Sequence, residues 1–263
     1  MTVVSGGKGF ASKLRLDGLT ALVTGGGRGI GAAAASALAC AGAQVLVMSR
    51  TRAELDQVVA SVEASGGKAS ALVCDVTDGA CVREVIAALP RLDILINNAG
   101  MNIPEAFVDV SEEHLDAIMS LNVRAIFVVA QAAVRKMLEL PQRHEVGGAI
   151  VNITSQMGHV GAARRTVYCM TKHAIEGLTK AMGVELAPQN IRVNSVAPTF
   201  LDTPFTVPFF KDPKFKDWVV QRIPLGRIGQ LEEVTGAIVF LASPAASLIT
   251  GTSMVIDGGW TAQ

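Results

Sequence analysis

Charge is what this chain has least of. Of its 263 residues 17% are charged, 23 Lys+Arg against 23 Asp+Glu, where a soluble protein usually carries about a quarter. The balance leaves no basic surplus with which to grip a phosphate backbone, so no nucleic-acid partner is expected. Cysteine is scarce as well. Cys40, Cys74, Cys81 and Cys169 form no CxxC pair and no metal-ligand spacing. Neither a disulfide framework nor a metal site is expected, and free thiols suit a reducing cytoplasm. Residues 1–19 are interspersed with Gly, Lys, Ser and Asp and lack the apolar centre of a signal peptide. There is a single tyrosine, Tyr168.

What is abundant is apolar surface: 50% of the residues are hydrophobic and the mean hydropathy is +0.40. No charge occurs between Arg28 and Arg50, or between Glu233 and Asp257, and each gap exceeds the roughly 20 residues that span a bilayer. Neither reads as a span. The first is mostly Gly, Ala and Ser and then turns into the β-rich 44–48; the second holds Pro244, Gly251 and several hydroxyl residues. No membrane association is expected.

Short β-branched runs alternate with longer helical patterns. The runs predict strands over 21–24, 44–48, 70–74, 92–96, 149–154, 191–196 and 253–256. The periodic stretches predict helices over 29–41, 52–64, 79–89, 111–138 and 167–186, the fourth opened by a Ser-Glu-Glu start. Alternation with near-continuous apolar strands implies an α/β fold in three layers, a Rossmann-like doubly wound parallel sheet covered on both faces. With no linker or repeat, residues 1–263 are expected to form a single domain. One compositional break stands out at 199–226, where Phe200, Phe205, Phe209, Phe210 and Phe215 crowd among Pro and Lys. It is expected to be a substrate lid, since long loops in compact domains are usually functional; a satellite packing cluster is the alternative.

The sequence Thr24-Gly25-Gly26-Gly27-Arg28-Gly29-Ile30-Gly31 follows the first strand and opens the first helix. Glycine there lets the backbone turn sharply beside a pyrophosphate, and the helix N-terminus offers free N–H groups and a positive dipole end. With Asn97-Asn98-Ala99-Gly100, Asn122, Ser155, Tyr168-Cys169-Met170-Thr171-Lys172 and Asp257-Gly258-Gly259, this spacing resembles the short-chain dehydrogenase/reductase family in its compact branch of ~250 residues. The resemblance runs from Leu19 to Gly259 and implies an NAD(P)-dependent oxidoreductase acting on CH–OH groups. The stretch 203–226 is similar to gluconate 5-dehydrogenase or 3-oxoacyl reductase members.

The resemblance assigns cofactor contacts to Gly25, Arg28, Gly29, Ile30, Gly31, Ser49, Arg50, Asp75, Val76, Asn98, Ala99, Gly100, Tyr168, Lys172, Pro198, Leu201 and Thr203. The second strand is followed by Ser49-Arg50 rather than a carboxylate. A carboxylate there would bind the ribose 2′-hydroxyl of NAD(H), whereas a guanidinium grips a 2′-phosphate. NADP(H) is therefore expected, with NAD(H) as the alternative. Thr199 stands where the family usually has Gly, which puts the backbone beside the nicotinamide in question.

Hydride transfer to a ketone needs a proton donor at the nascent alkoxide. Tyr168 is assigned that role. Lys172, four residues on and thus on the same helix face, is expected, together with the cationic oxidised nicotinamide, to lower the phenol's pKa. The family's roles add Ser155 as a hydrogen-bond donor to the substrate oxygen and Asn122 as the residue that bends its helix and anchors a relay water. The catalytic set is Asn122, Ser155, Tyr168 and Lys172. Substrate-binding walls are expected from Ser155, Gln156, Met157, His159 and Phe205, with Met101-Asn102-Ile103 nearby. The partner is a small carbonyl or alcohol; Arg164, Arg165 or Lys211 could serve a sugar acid. A non-catalytic dinucleotide sensor or scaffold and an NAD-dependent sugar or polyol dehydrogenase are the competing readings. A nucleotide-sugar epimerase is disfavoured by the short C-terminal region. The apolar excess, and the family's subunit-contact helices, predict a homotetramer, with a dimer next.

Overall fold

The structure is a computed structural model that describes residues 9–203, 206–207 and 209–263. After a short helix α1 (Phe10–Lys13), strands and helices alternate: β1 (Thr20–Thr24), α2 (Gly29–Cys40), β2 (Gln44–Ser49), α3 (Arg52–Ala64), β3 (Lys68–Val73), α4 (Gly79–Ala87) and β4 (Ile94–Asn97). Then come α5 (Glu112–Met119), a π-helical turn (Ser120–Ala125), α6 (Ile126–Leu138), α7 (Arg143–Val146), β5 (Gly148–Ile153), α8 (Thr166–Glu185) and β6 (Ile191–Pro198). The chain ends with α9 (Pro213–Arg222), α10 (Glu232–Ala242) and β7 (Ser253–Ile256). The sheet order is β3-β2-β1-β4-β5-β6-β7, and every pairing is parallel.

Consecutive side chains on a strand point to opposite faces, and both faces here are apolar. Leu22, Leu46, Leu95 and Ile150 pack on one side with Val82, Ile86, Val129 and Ala133 from α4 and α6. Their neighbours Val23, Val45, Ile96 and Val151 pack on the other with Leu38, Leu55, Ile238 and Leu241 from α2, α3 and α10. That double coverage makes the strands read as unbroken hydrophobic runs. Strand order reverses between β1 and β4, so the loops after these two strands diverge and leave a crevice at their carboxyl ends.

The expected elements are all present, with ends moved by a residue or two. The helix expected over 111–138 forms but is not α-helical throughout, because a π turn interrupts it at Asn122. Among the described residues this run, Glu112–Leu138, is the one helix long and apolar enough to cross a membrane by length and composition, with a hydropathy of 1.7. The two uncharged stretches noted above form helix, loop and strand instead. One side of the run is packed against α4, α8 and β4. Cys74 and Cys81 come together although seven residues separate them: their Sγ atoms lie 2.8 Å apart as free thiols. Burial, followed by the Cys81 thiol, pushes the Cys74 thiol up to about 12.

The segment 199–226 does two things at once. Phe200 lies 6.1 Å from Phe210, 5.8 Å from Phe215 and 5.9 Å from Trp260 between ring centroids, an aromatic cluster of its own. Phe200, Leu201, Thr203, Thr206 and Phe209 also line the crevice described next.

Candidate active site

One cavity of about 870 Å³ runs along the carboxyl ends of the strands, from the glycine loop after β1 to the aromatic segment after β6. Its first end is shaped by backbone. Gly25 has φ +61°, a left-handed conformation natural to glycine. A Cβ on Gly31 would stand 2.2 Å from the Gly25 carbonyl oxygen and 2.6 Å from Asn98 Nδ2, so only glycine lets α2 close on the loop. Thr24 and Asn98 tie β1 to β4: Thr24 Oγ1 accepts from the backbone N–H of Asn98 at 3.0 Å, and Asn98 Nδ2 donates to Thr24 O at 3.0 Å. Helix α2 starts after Arg28 with no side chain capping its free N–H groups. Exposed Arg28 and Arg50 stand beside that opening. This set of backbone donors and cations fits a dinucleotide's phosphates.

Charges of the other sign are also close. Glu54, the first carboxylate after β2, reaches the same wall at Gly27. Arg50 Nη1 lies 3.7 Å from Asp75 Oδ2. Asp75 Oδ1 accepts from the Thr77 N–H at 2.9 Å and its hydroxyl at 2.7 Å. Burial works to raise Asp75, but the Thr77 hydrogen bonds and the Arg50 charge outweigh it and hold the carboxyl below its usual range. Arg52 is turned away into an ion pair with Asp56 at 2.8 Å.

At the other end, helix α8 presents Tyr168, Lys172 and Glu176 at intervals of four, one stripe of a helix face. Lys172 Nζ donates to Ile153 O at 2.9 Å and sits 5.5 Å from the Tyr168 ring centroid. Glu176 is buried and accepts from Thr154 Oγ1 at 2.6 Å and Ser195 Oγ at 2.7 Å. Burial pulls the Lys172 ammonium down to about 8, opposed by the Glu176 charge. Tyr168 faces the cavity, yet burial among its neighbours pushes its phenol up to about 12. The Ser155 hydroxyl and the Arg165 charge pull it back in part. The chain's own groups thus leave the phenol above its ordinary value; the cationic oxidised nicotinamide, the other part of the expected lowering, would act in addition to them. Ser155 follows β5 and is buried; its Oγ donates to Gln156 Oε1 at 2.9 Å and accepts from the Met157 N–H at 3.2 Å.

Ser155, Tyr168, Lys172, Gln156 and Met157 all line the cavity, and so does every expected cofactor residue except Gly31, which packs behind the loop. Asn122 does not line it. Fully buried in the π turn, Asn122 clamps Met101: its Oδ1 accepts from the Met101 N–H and its Nδ2 donates to the Met101 carbonyl, both at 2.8 Å. His159 does not line the cavity either. Its Nε2 lies 3.0 Å from Ser253 Oγ and 3.4 Å from Glu176 Oε1, because the buried carboxylate draws the ring toward β7. Phe205 lies outside the described residues. Thr199 is accommodated without strain, since among the described residues only Arg164 and Asn190 are non-glycine positions with positive φ. Sequence reasoning missed Glu176, Thr206 and the role of Phe209. The four-residue interval from Lys172 was the one available signal for Glu176.

A sheet of this order with a glycine loop at its switch point, and a Ser–Tyr–Lys group across the crevice, defines a dinucleotide-dependent oxidoreductase of the doubly wound class. The comparisons narrow it. A family model described as Enoyl-(Acyl carrier protein) reductase matches residues 25–261. L-xylulose reductase of Bos taurus is 39% identical over 250 residues, 95% of this chain and 99% of that enzyme. Gluconate 5-dehydrogenase of Gluconobacter oxydans is 40% identical over 250 residues, 94% of this chain and 96% of that enzyme. A crystal structure of a gluconate 5-dehydrogenase from Burkholderia cenocepacia, in complex with NADP and tartrate, superposes with a TM-score of 0.91 at 35% identity, covering 96% of this chain and 99% of that one. The chain belongs to the short-chain dehydrogenase/reductase family.

Proposed function

We propose that this enzyme transfers a hydride between NADP(H) and a ketone or secondary alcohol on a small sugar-derived skeleton, with Tyr168 as general acid and base. The observation that carries the reading is the meeting of Ser155, Tyr168 and Lys172 on the wall of the cavity whose far end is the Gly25–Gly29 loop. Relatives named L-xylulose reductase, gluconate 5-dehydrogenase and D-erythrulose reductase support the skeleton. Neighbours solved with NADP support the cofactor. Free thiols fit a reducing compartment such as the cytoplasm.

When bound, the nicotinamide supplies or accepts the hydride. The chain's own groups do the rest. The Gly25–Gly29 loop and the first turn of α2 would hold the pyrophosphate, with Ile30 beside it. Arg28, Ser49 and Arg50 would take the 2′-phosphate, and Asp75 and Val76 the adenine. The turn Asn98-Ala99-Gly100 would meet the adenosine ribose, and Pro198, Leu201 and Thr203 the nicotinamide end. Ser155 donates a hydrogen bond to the substrate oxygen, Tyr168 moves the proton to or from it, and the Lys172 cation favours the phenolate left behind. Asn122 acts as a positioning residue through Met101. The segment 199–226 is proposed to cover the substrate.

The test is absorbance-monitored NADPH consumption over ketoses, keto-sugar acids, cyclic ketones and acyl thioesters. Turnover of a sugar-derived ketone is expected, with NADPH binding tighter than NADH in fluorescence titration. Tyr168→Phe is expected to lose roughly 10²–10⁴-fold in kcat/KM with cofactor binding intact. Cofactor binding with silence across the panel favours the non-catalytic sensor and overturns the proposal.

A further inference from the structure

Among the described residues, five buried side-chain polar atoms have no hydrogen-bond partner, and four belong to residues on the wall of the cavity described above: Asn102 Oδ1, Gln156 Nε2, Arg165 Nη1 and Thr199 Oγ1. Unpartnered buried polar groups are costly; outside this cavity the described residues hold one, Asn152 Oδ1. The other four all belong to residues that line the same cavity, where a ligand with several hydroxyls would supply the missing partners. Three of the four carry hydrogen-bond donors, and Asn102 Oδ1 is an acceptor.

Arg165 is the exceptional member. Three cations could have served an acidic substrate, and the fold separates them. Arg164 and Lys211 are exposed, whereas Arg165 is only 8% exposed. No carboxylate pairs with it among the described residues, and residues 1–8, 204, 205 and 208 include no Asp or Glu. Its guanidinium instead lies over aromatic faces, 5.4 Å from the centroid of Phe209 and 6.0 Å from that of Phe215. Rings contacted by their faces leave the planar N–H fork able to bind two oxygens at once. A buried cation without a counter-ion is expensive to keep, unless the counter-ion arrives with the substrate. Arg165 precedes Tyr168 by three residues, about one helical turn along the backbone, so both side chains can serve one substrate. The two groups are distinct, so the anion that Arg165 would receive is a carboxylate separate from the reacting carbonyl. A phosphate dianion would call for more positive charge than one guanidinium.

We propose that Arg165 is the anion anchor of the substrate pocket and that the substrate is a polyhydroxylated keto acid, or its hydroxy-acid product, whose carboxylate Arg165 receives. This rests on the reading of the site as an NADP(H)-dependent oxidoreductase and selects among its substrates.

The probes are 5-keto-D-gluconate, L-sorbose, which carries CH₂OH in place of that carboxylate, and D-fructose 6-phosphate, each with NADPH. Wild type is expected to prefer the keto acid over L-sorbose by about 100-fold in kcat/KM, the scale of a charged hydrogen-bond pair. Arg165→Gln is expected to erase most of that preference through KM while NADPH affinity stays unchanged, and Arg165→Lys to restore part of it. Equal loss on keto acid and L-sorbose, weakened NADPH binding in Arg165→Gln, or a preference for the phosphate would each overturn the anchor. Wild-type turnover of L-sorbose as good as that of the keto acid sinks the anchor alone. No NADPH consumption with any ketone sinks the oxidoreductase reading and the anchor with it. Should Arg165→Gln fail to fold, competitive inhibition of wild type decides: D-gluconate is expected to inhibit at concentrations about 100-fold below D-sorbitol, and equal inhibition overturns the proposal.

Discussion

Burial sets the working state of Lys172. An ammonium packed beneath Tyr168 loses hydration, and its pKa falls from 10.5 to about 8 with only Glu176 opposing the fall. The cation therefore prevails below about pH 8 and is lost as pH rises through that value. With Tyr168 as the proposed proton donor, ketone reduction would leave negative charge on its phenol, and the neutral amine would give poorer support than the ammonium. The kcat/KM for reduction is expected to decline above about pH 8. In Lys172→Arg a guanidinium keeps its proton, and the decline is expected to move to higher pH. A pH profile with the same alkaline limb in both proteins would show that another group titrates there. Tyr168 and Lys172 were legible in the sequence because one helical turn fixes their spacing. Arg165 could not be told from Arg164, since exposure is decided by where α8 begins on the aromatic segment. His159 was misplaced for a similar reason: Glu176 reaches it only in the folded sheet.

Strands and helices were legible wherever both faces of an element follow from its pattern. The unbroken apolar runs of β1, β4 and β5 require two covering layers, and the layers are there. The interruption of the long α5–α6 run was less visible. A π turn frees backbone groups from the regular ladder, and what stabilises it here is a contact with Met101, remote in sequence. The family resemblance pointed to a local bend; the Met101 clamp is known only from the fold. Asn122→Ala would leave the Met101 N–H and C=O without that partner, at a cost of about 2 kcal/mol. For a chain of this size the melting temperature is expected to fall by roughly 4–8 °C. An unchanged calorimetric midpoint would show that water replaces the amide at no cost.

For the molecule as a whole, the scarcity of charge is only partly explained by the two buried layers. Phe127 on α6 is 50% exposed and Val184 on α8 is 79% exposed, so the helices flanking the active site keep apolar groups in solvent. At the opposite end β7 is an edge strand with Val255 exposed, and Leu248 nearby in sequence is exposed too. An uncovered edge beside apolar side chains invites pairing with another chain. Two separate patches that each paired with a copy of themselves would generate a closed tetramer with two kinds of two-fold interface. We therefore propose a homotetramer, and light scattering after size exclusion is expected to give about 110 kDa, four copies of the 27.4 kDa chain. Phe127→Asp would put a charge in the interface proposed for the helices and leave the one proposed for β7 untouched. It is expected to yield dimers, since a central aromatic anchor commonly contributes about 2 kcal/mol or more. A stable wild-type monomer at micromolar concentration would remove both interfaces, and the apolar surface would then need an occupant other than a second copy of this chain.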